Sequence, residues 1–239
     1  MVKRAIKYVL YKFYSFAIRG GELESPGAGR WRDVTAFFHS GWQLELKEWM
    51  RVHNIQDDNA FKSKHDMDDA ISQEITRDDP IDFMEFGVHE GAGIKRWMGL
   101  NQNPESRFFG FDTFRGLPEA WANLPQGGLD VGGNIPVSND NRVKFVAGLF
   151  QDSLASFLET FNPRNRLVIR MDADLYSSTL FVLASLDRFV EPGTIIIFDE
   201  FSYLPHEFSA FVDYTRSFYR DYEVFAYTHN LLKMTIIIK

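Results

Sequence analysis

From residue 81 onward, short apolar runs alternate with longer stretches of mixed polarity. The runs are four to eight residues long and rich in β-branched and aromatic side chains, which is typical of buried strands. They predict strands at Ile81–Phe86, Arg107–Phe111, Val143–Ala147, Leu167–Met171, Thr194–Phe198, Tyr222–Tyr227 and Met234–Ile238. Helical periodicity predicts helices at Ala92–Leu100, Thr179–Phe189 and His206–Tyr219. This alternation predicts an α/β fold with a doubly wound, mainly parallel sheet, closed by an antiparallel hairpin.

The region before the first strand is interpreted as a separate helical cap. We expect a cap over residues 1–79 and the α/β domain over residues 80–239, with Asp78-Asp79-Pro80 as the boundary. Residues 3–19 show amphipathic helical spacing. This pattern fits a helix at a membrane surface or a packing helix between subunits. The second interpretation is favoured, so a homo-oligomer is expected.

Composition excludes several classes of protein. The net charge of -7 argues against a general nucleic-acid binder, which is usually basic. The chain has no cysteine, so disulfides and thiolate zinc sites are excluded. No apolar stretch reaches the roughly 18 residues that a membrane-spanning helix needs, and the N-terminus lacks the pattern of a signal peptide. A cytoplasmic enzyme is therefore expected.

Two clusters of acids follow two of the predicted strands. Asp172 and Asp174 come after the fourth strand, and Asp199 and Glu200 come after the fifth. Neighbouring strands lie about 4.8 Å apart, so these carboxylates would crowd one edge of the sheet. Such crowding requires a shared proton or a cation, and a hard divalent ion bound by oxygen is the simplest solution. The alternative is that each cluster only caps its own strand.

The turn after the first strand resembles a glycine-rich nucleotide fingerprint. Gly87 and Gly91 allow tight turns, but His89 replaces the middle glycine that lets a dinucleotide pyrophosphate approach. Glu85 would repel phosphate, whereas it can bind an ammonium group. Asp112 ends the second strand, where an acid accepts hydrogen bonds from ribose hydroxyls. S-adenosylmethionine has an ammonium group and no phosphate, so it fits this turn better than a dinucleotide.

Two further segments have two interpretations each. Gln151 follows the third strand, where the adenine edge of a cofactor would lie, and it is a candidate to bind the base. Alternatively, Asp152 or Ser153 simply caps the next helix. The long glycine-containing stretch at residues 123–141 is either a lid over the crevice or a plain surface excursion.

Four stretches of the chain resemble the macrocin O-methyltransferase family. They lie at residues 83–88, 109–119, 171–179 and 198–201, and the likeness extends over roughly residues 81–239. The resemblance implies a class I S-adenosylmethionine-dependent methyltransferase with a seven-stranded sheet. It also implies methylation of hydroxyls, mostly on sugars of antibiotics and other glycosides, with magnesium (Mg2+).

The family's functional positions are carried over one by one. The resemblance implies that Asp172, Asp199 and Glu200 bind the metal ion and that Asp174 is the general base. Some family members have a histidine one position after this aspartate, where this chain has Leu175. The expected cofactor-binding residues are Glu85, Gly87, Gly91, Asp112, Thr113, Gln151 and Asp172.

The leading hypothesis is a magnesium-dependent O-methyltransferase that acts on a hydroxyl of a sugar or glycosylated small molecule. A methyltransferase for a catechol-like phenol is an alternative, because adjacent phenolic hydroxyls also suit an oxygen-ligated metal. An NAD(P)-dependent dehydrogenase is disfavoured by His89 and by the acid clusters. A non-catalytic module that binds S-adenosylmethionine is disfavoured by the four acids, since such a module needs no base.

Overall fold

The structure is a computed structural model and describes residues 41–239. The predicted amphipathic helix at residues 3–19 lies outside the described residues. Trp42–Lys239 form one compact unit. Within the described residues, no helix is long and apolar enough to cross a membrane.

The described residues contain seven strands and six α-helices. The strands are β1 (Ile81–Phe86), β2 (Arg107–Asp112), β3 (Val143–Ala147), β4 (Arg166–Met171), β5 (Ile195–Phe198), β6 (Tyr222–Tyr227) and β7 (Met234–Ile238). The helices are α1 (residues 41–52), α2 (Lys64–Ile71), α3 (Ala92–Leu100), α4 (Phe150–Thr160), α5 (Tyr176–Leu186) and α6 (Ser209–Ser217). A π-helical turn, Ser72–Thr76, continues α2, and a 3-10 turn, Asp187–Phe189, follows α5.

The strands form one sheet in the order β3-β2-β1-β4-β5-β7-β6. The first five strands run parallel, and β7 is antiparallel to both β5 and β6. The predicted doubly wound, mainly parallel sheet and its final hairpin are therefore confirmed. Because parallel strands end at the same edge, the residues that follow β1, β2, β4 and β5 meet there.

Two predicted helix starts were wrong. Helix α5 begins at Tyr176, three residues before the predicted Thr179, because the serines that resemble a loop in the sequence form its first turn. The last predicted helix does not start at His206, which has non-helical backbone angles of φ -118° and ψ -106°. A π-helical turn, Leu204–Phe208, precedes α6 instead.

The sheet is buried on both faces, and strand alternation assigns each side chain to one of them. On one face, strand residues including Phe83 and Val168 pack with Trp97 of α3. On the other, residues including Phe86 and Met171 pack against α5 and α6. The same alternation carries Glu85, Arg170 and Asp199 onto the face of Phe83 and Val168. This face therefore turns from apolar to charged at the carboxyl end of the strands.

The helical segment before the sheet packs against it. Trp49 of α1 is buried, and its indole N–H donates a hydrogen bond of 2.8 Å to the Tyr222 hydroxyl. Trp42 and Leu46 pack against the same core. The division into a cap over residues 1–79 and a domain over residues 80–239 stays a prediction.

Candidate active site

The turn between β1 and α3 depends on backbone conformations that favour glycine. Gly87 has φ +95°, and Gly91, which precedes α3, has φ +81°. A side chain at Gly91 would also crowd the ring of Pro136. His89 has φ +51°, so it adopts the left-handed conformation although it is not a glycine. His89 therefore adopts the backbone conformation that a glycine at the middle position of the fingerprint would allow.

Asp112, at the end of β2, holds this turn in place. Its Oδ2 atom accepts the backbone N–H groups of Val88 and His89 at 2.8 and 2.7 Å. Its Oδ1 atom accepts the backbone N–H of Phe114 at 2.7 Å. Asp112 is thus not a solvated strand end, and the Thr113 hydroxyl beside it donates to the Gly116 carbonyl.

Glu85 lies buried below the start of α3. Its side chain accepts the Ile94 backbone N–H at 2.9 Å, and its other oxygen lies 3.3 Å from Nε of Arg170. Burial raises the pKa of Glu85 to about 8, against the opposing effect of Arg170. Gly93 is required here because a side chain at that position would overlap the Glu85 carboxylate.

A cavity of about 260 Å³ lies at this edge of the sheet. Six of the seven predicted cofactor-binding residues line it: Glu85, Gly87, Asp112, Thr113, Gln151 and Asp172. Gly91 is not among its lining residues and instead shapes the turn. Gln151 lies in the first turn of α4, which begins at Phe150, so neither Asp152 nor Ser153 is the N-cap of that helix.

Three acids converge beside this cavity. Oxygen atoms of Asp172, Asp174 and Glu200 all lie within 4.8 Å of one another. Asp174 has φ +60°, and the Leu175 N–H donates to the Ala173 carbonyl across it, which forms a tight and strained γ-turn. Burial, followed by the charges of Glu200 and Asp199, raises the pKa of Asp174 to about 7.

Asp199 lies beside Asp172 and is paired with two cations. Its Oδ1 atom lies 2.8 Å from the Arg170 guanidinium, and its Oδ2 atom lies 2.5 Å from the Lys233 ammonium. These two cations hold the pKa of Asp199 below its usual range although burial opposes them. The structure therefore brings together two of the three predicted metal ligands, Asp172 and Glu200, with the predicted base, and pairs the third ligand with two cations.

Sequence reasoning missed several charged groups of this site. Arg170 is buried and lies within 4.0 Å of carboxylate oxygens of Asp68, Glu85, Asp172 and Asp199. The sequence places Arg170 in a strand that is otherwise apolar, and a charge in a buried strand indicates a partner of opposite charge.

Glu207 is another charged group of this site. It is fully buried, and one carboxylate oxygen accepts the backbone N–H of Glu200 at 2.9 Å. The other oxygen has no hydrogen-bond partner among the described residues. Burial raises the pKa of Glu207 well above its usual value.

The long loop after β2 is folded and crosses the site. Its own backbone hydrogen bonds join Leu117 to Gly127 and Gly128. Glu119 accepts a hydrogen bond of 2.5 Å from the Ser177 hydroxyl of α5, and the Trp121 ring packs 5.1 Å from the Tyr203 ring. Leu117, Pro118 and Leu129 of this loop line the cavity. We call residues 113–134 the strap.

The donor groups fit the two expected ligands. The cavity offers a buried carboxylate, Glu85, for an ammonium group and a second acid, Asp112, beside it. Gly87 and Gly93 keep the backbone free of side chains that would fill the space. The cluster of Asp172, Asp174 and Glu200 presents only carboxylate oxygens, which suit a hard divalent cation such as Mg2+.

The sheet order and the glycine turn define the fold of the S-adenosylmethionine-dependent methyltransferases. Two solved structures share it. The O-methyltransferase NovP is 22% identical with a TM-score of 0.55, over 72% of this chain and 78% of that chain. CalS11, a calicheamicin methyltransferase, is 20% identical with a TM-score of 0.55, over 83% and 91%.

Residues 138–221 match the model of the macrocin O-methyltransferase family (TylF), so the expected resemblance is confirmed over this stretch. A curated relative from Streptomyces olivaceus is 29% identical over 145 residues. It is 8-demethyl-8-(2,3-dimethoxy-alpha-L-rhamnosyl)-tetracenomycin-C 4'-O-methyltransferase. The match covers 52% of this chain and 54% of the relative, so the chain spans about half the length of that relative.

Proposed function

We propose that this chain is an S-adenosylmethionine- and magnesium-dependent O-methyltransferase that acts on a hydroxyl of a sugar or glycosylated small molecule. The observation that carries the proposal is the position of Asp174. This acid is only 7% exposed, lies in a strained turn, and borders both the cavity and the cluster of carboxylates. Strain of this kind is concentrated at functional sites.

The residues that line the cavity support binding of S-adenosylmethionine. Glu85 would face its ammonium group, Asp112 and Thr113 its ribose, and Gln151 its base. The bound cofactor supplies an activated methyl group on a sulfonium. Because Asp172 and Asp174 line the same cavity, an acceptor hydroxyl beside them would lie close to that methyl group, and such alignment contributes several kcal/mol to catalysis.

Asp174 is assigned the role of general base. A pKa of about 7 leaves a substantial fraction of its carboxylate ionised at neutral pH, while keeping it basic enough to accept a proton. The proton of the acceptor hydroxyl would move to an Asp174 oxygen as the acceptor oxygen takes the methyl group. The sulfonium then becomes a neutral thioether, so the charges balance.

Asp172 and Glu200 would hold the divalent cation, together with Asp199 as the family resemblance implies. A bound Mg2+ ion would lower the pKa of the acceptor hydroxyl and orient the acceptor. Glu207 keeps Glu200 in place through its hydrogen bond to the Glu200 backbone N–H. Arg170 provides a buried counter-charge between Glu85 and Asp199.

The choice of a sugar acceptor is supported by the matches rather than by the pocket. The matched family model is that of macrocin O-methyltransferase, and the curated relative is named as an O-methyltransferase of a rhamnosyl tetracenomycin. Asp172, Asp174 and Glu200 would suit adjacent hydroxyls on a sugar ring or on a catechol. A transfer assay with labelled methyl groups over glycosides and catechols separates the two.

The central experiment uses the Asp174→Asn variant. We expect it to lose methyl transfer while it binds S-adenosylhomocysteine as the wild type does, because the amide keeps the shape but cannot accept the proton. Asp213→Asn is the matched control, since Asp213 is an exposed acid that accepts a hydrogen bond from Tyr176. Full activity in Asp174→Asn would remove Asp174 as the base, and failure of the wild type to bind S-adenosylhomocysteine would overturn the cofactor.

Metal dependence has its own test. Treatment with a chelator should stop methyl transfer, and added magnesium should restore it. Activity that does not respond to the chelator would contradict the magnesium part of the proposal and leave the cofactor part standing.

We further propose a cytoplasmic, self-associating enzyme with no nucleic-acid partner. The net charge of -7 supports the last point. Light scattering on the full chain gives the number of subunits, and a monomeric mass would contradict self-association.

A further inference from the structure

Lys233 places a buried ammonium group between two of the acids at the site. The residue is 8% exposed, and its Nζ atom lies 2.5 Å from Oδ2 of Asp199 and 3.8 Å from Oε1 of Glu200. Since Arg170 contacts the other oxygen of Asp199, each oxygen of that carboxylate already faces a cation.

The sheet itself dictates this contact. Ile197 of β5 pairs with Thr235 of antiparallel β7, and two residues further in the same register Asp199 lies opposite Lys233. Alternation places both side chains on the face of Ile197. The backbone of Lys233 is also fixed, because its N–H donates to the Thr228 hydroxyl and its carbonyl accepts the Thr228 N–H. The lysine is therefore held in the site by the backbone and is not a mobile surface chain.

The two acids that Lys233 contacts are two of the three that the family resemblance assigns to the metal ion. A carboxylate oxygen that binds an ammonium group at this distance has that lone pair occupied. The ammonium charge also repels any divalent cation placed between Asp172 and Glu200, and the low dielectric of a buried site strengthens that repulsion. Both effects weaken the binding of a metal ion.

We propose that Lys233 is an internal cation that competes with the divalent ion for Asp199 and Glu200 and thereby sets the affinity of the metal site. The inference rests on the cation site of the proposed function. In the absence of a divalent ion, Lys233 compensates part of the negative charge of the cluster. When the ion binds, the ammonium group of Lys233 gives up its contact with at least one of the two acids.

The test is the affinity for Mn2+, measured by calorimetry and by the electron paramagnetic resonance signal of the free ion. We expect Lys233→Met to bind Mn2+ about tenfold more tightly than the wild type, because a positive charge is removed and an Asp199 oxygen is freed. Lys239→Met is the matched control: it removes the same charge from an exposed pair with Glu223 and should leave the affinity unchanged. Lys233→Gln, which retains a hydrogen-bond donor, should also bind the ion more tightly and serves if Lys233→Met does not fold.

A purely structural ion pair gives a different result. In that case both Lys233 variants melt at a lower temperature and bind Mn2+ with unchanged or weaker affinity, and either outcome overturns the proposal. If neither the wild type nor the variants bind Mn2+, both this inference and the metal part of the proposed function fail. Binding of S-adenosylhomocysteine, measured on the same samples, tests the cofactor part of the proposed function independently.

Discussion

The backbone carbonyl of Asp172 occupies the space into which any side chain on Gly87 would project. The approach is this close because β1 and β4 are paired, and the Asp172 N–H donates to the Phe86 carbonyl at 2.9 Å. The end of β1 that turns toward the cofactor cavity and the end of β4 that bears the acids are thus in direct backbone contact. Gly87 therefore allows the turn at the cofactor cavity and the acid-bearing end of β4 to lie side by side.

We expect Gly87→Ala to destabilise the protein by about 2–4 kcal/mol, since the new methyl group overlaps backbone and φ +95° is unfavourable for alanine. Affinity for S-adenosylhomocysteine should fall as well. Urea unfolding and calorimetry measure the two effects. Gly99→Ala is the control, because Gly99 lies in α3 with nothing within 4 Å of its added methyl group. Equal stability of the two variants would contradict the prediction.

We expect Asp112→Asn to weaken cofactor binding by loosening the turn. The carboxylate accepts three backbone N–H groups, and an amide must point its own N–H2 at one or two of them. Leaving such donors unpaired costs about 1–3 kcal/mol. Calorimetry with S-adenosylhomocysteine measures the loss of affinity. Asp130→Asn, in an exposed loop turn, is the control, and an unchanged affinity in Asp112→Asn would refute the role of the carboxylate.

Glu85 makes stability depend on pH. Its pKa is about 8 in the folded chain and near the ordinary glutamate value of 4.5 in the unfolded chain, so between these values the folded protein holds a proton that the unfolded chain has released. The contribution of Glu85 to stability is therefore present at low pH and is lost as the pH rises through about 8. The wild-type free energy of unfolding, minus that of Glu85→Gln, should fall between about pH 5.5 and about pH 8.5. If urea unfolding gives the same difference in free energy of unfolding at both pH values, this linkage is excluded.

The part of the strap around Trp121 should govern the acceptor rather than the cofactor. Trp121 packs on Tyr203, which follows the acid Glu200 along the chain, so this contact holds the strap across the acceptor side of the site. We expect Trp121→Ala to raise KM for the acceptor about tenfold and to leave S-adenosylhomocysteine affinity unchanged. Tyr219→Ala, at a ring that is 92% exposed, is the control. A loss confined to cofactor affinity would show that the strap serves the cofactor instead.

Local patterns were sufficient for most of the sheet. The bounds predicted for β1, β3, β6 and β7 agree with the structure, because a buried strand needs a short apolar run and the chain has one at each place. The starts of α5 and α6 were wrong. Polar first turns look like loops in a sequence, and the irregular backbone at His206 depends on packing that the sequence pattern does not display.

The sequence by itself determined that acids end β4 and β5 and that Glu85 and Asp112 flank a glycine turn. Each of these acids lies at the end of a strand that a short apolar run in the sequence predicts. Only the tertiary structure decided which charges meet. Lys233 is 34 residues from Asp199 along the chain, and Glu119 is 58 residues from Ser177. Such partners are selected by strand register and by the path of the strap, which depend on the whole packed sheet. For that reason the acids were predictable, whereas the two cations that pair with Asp199 were not.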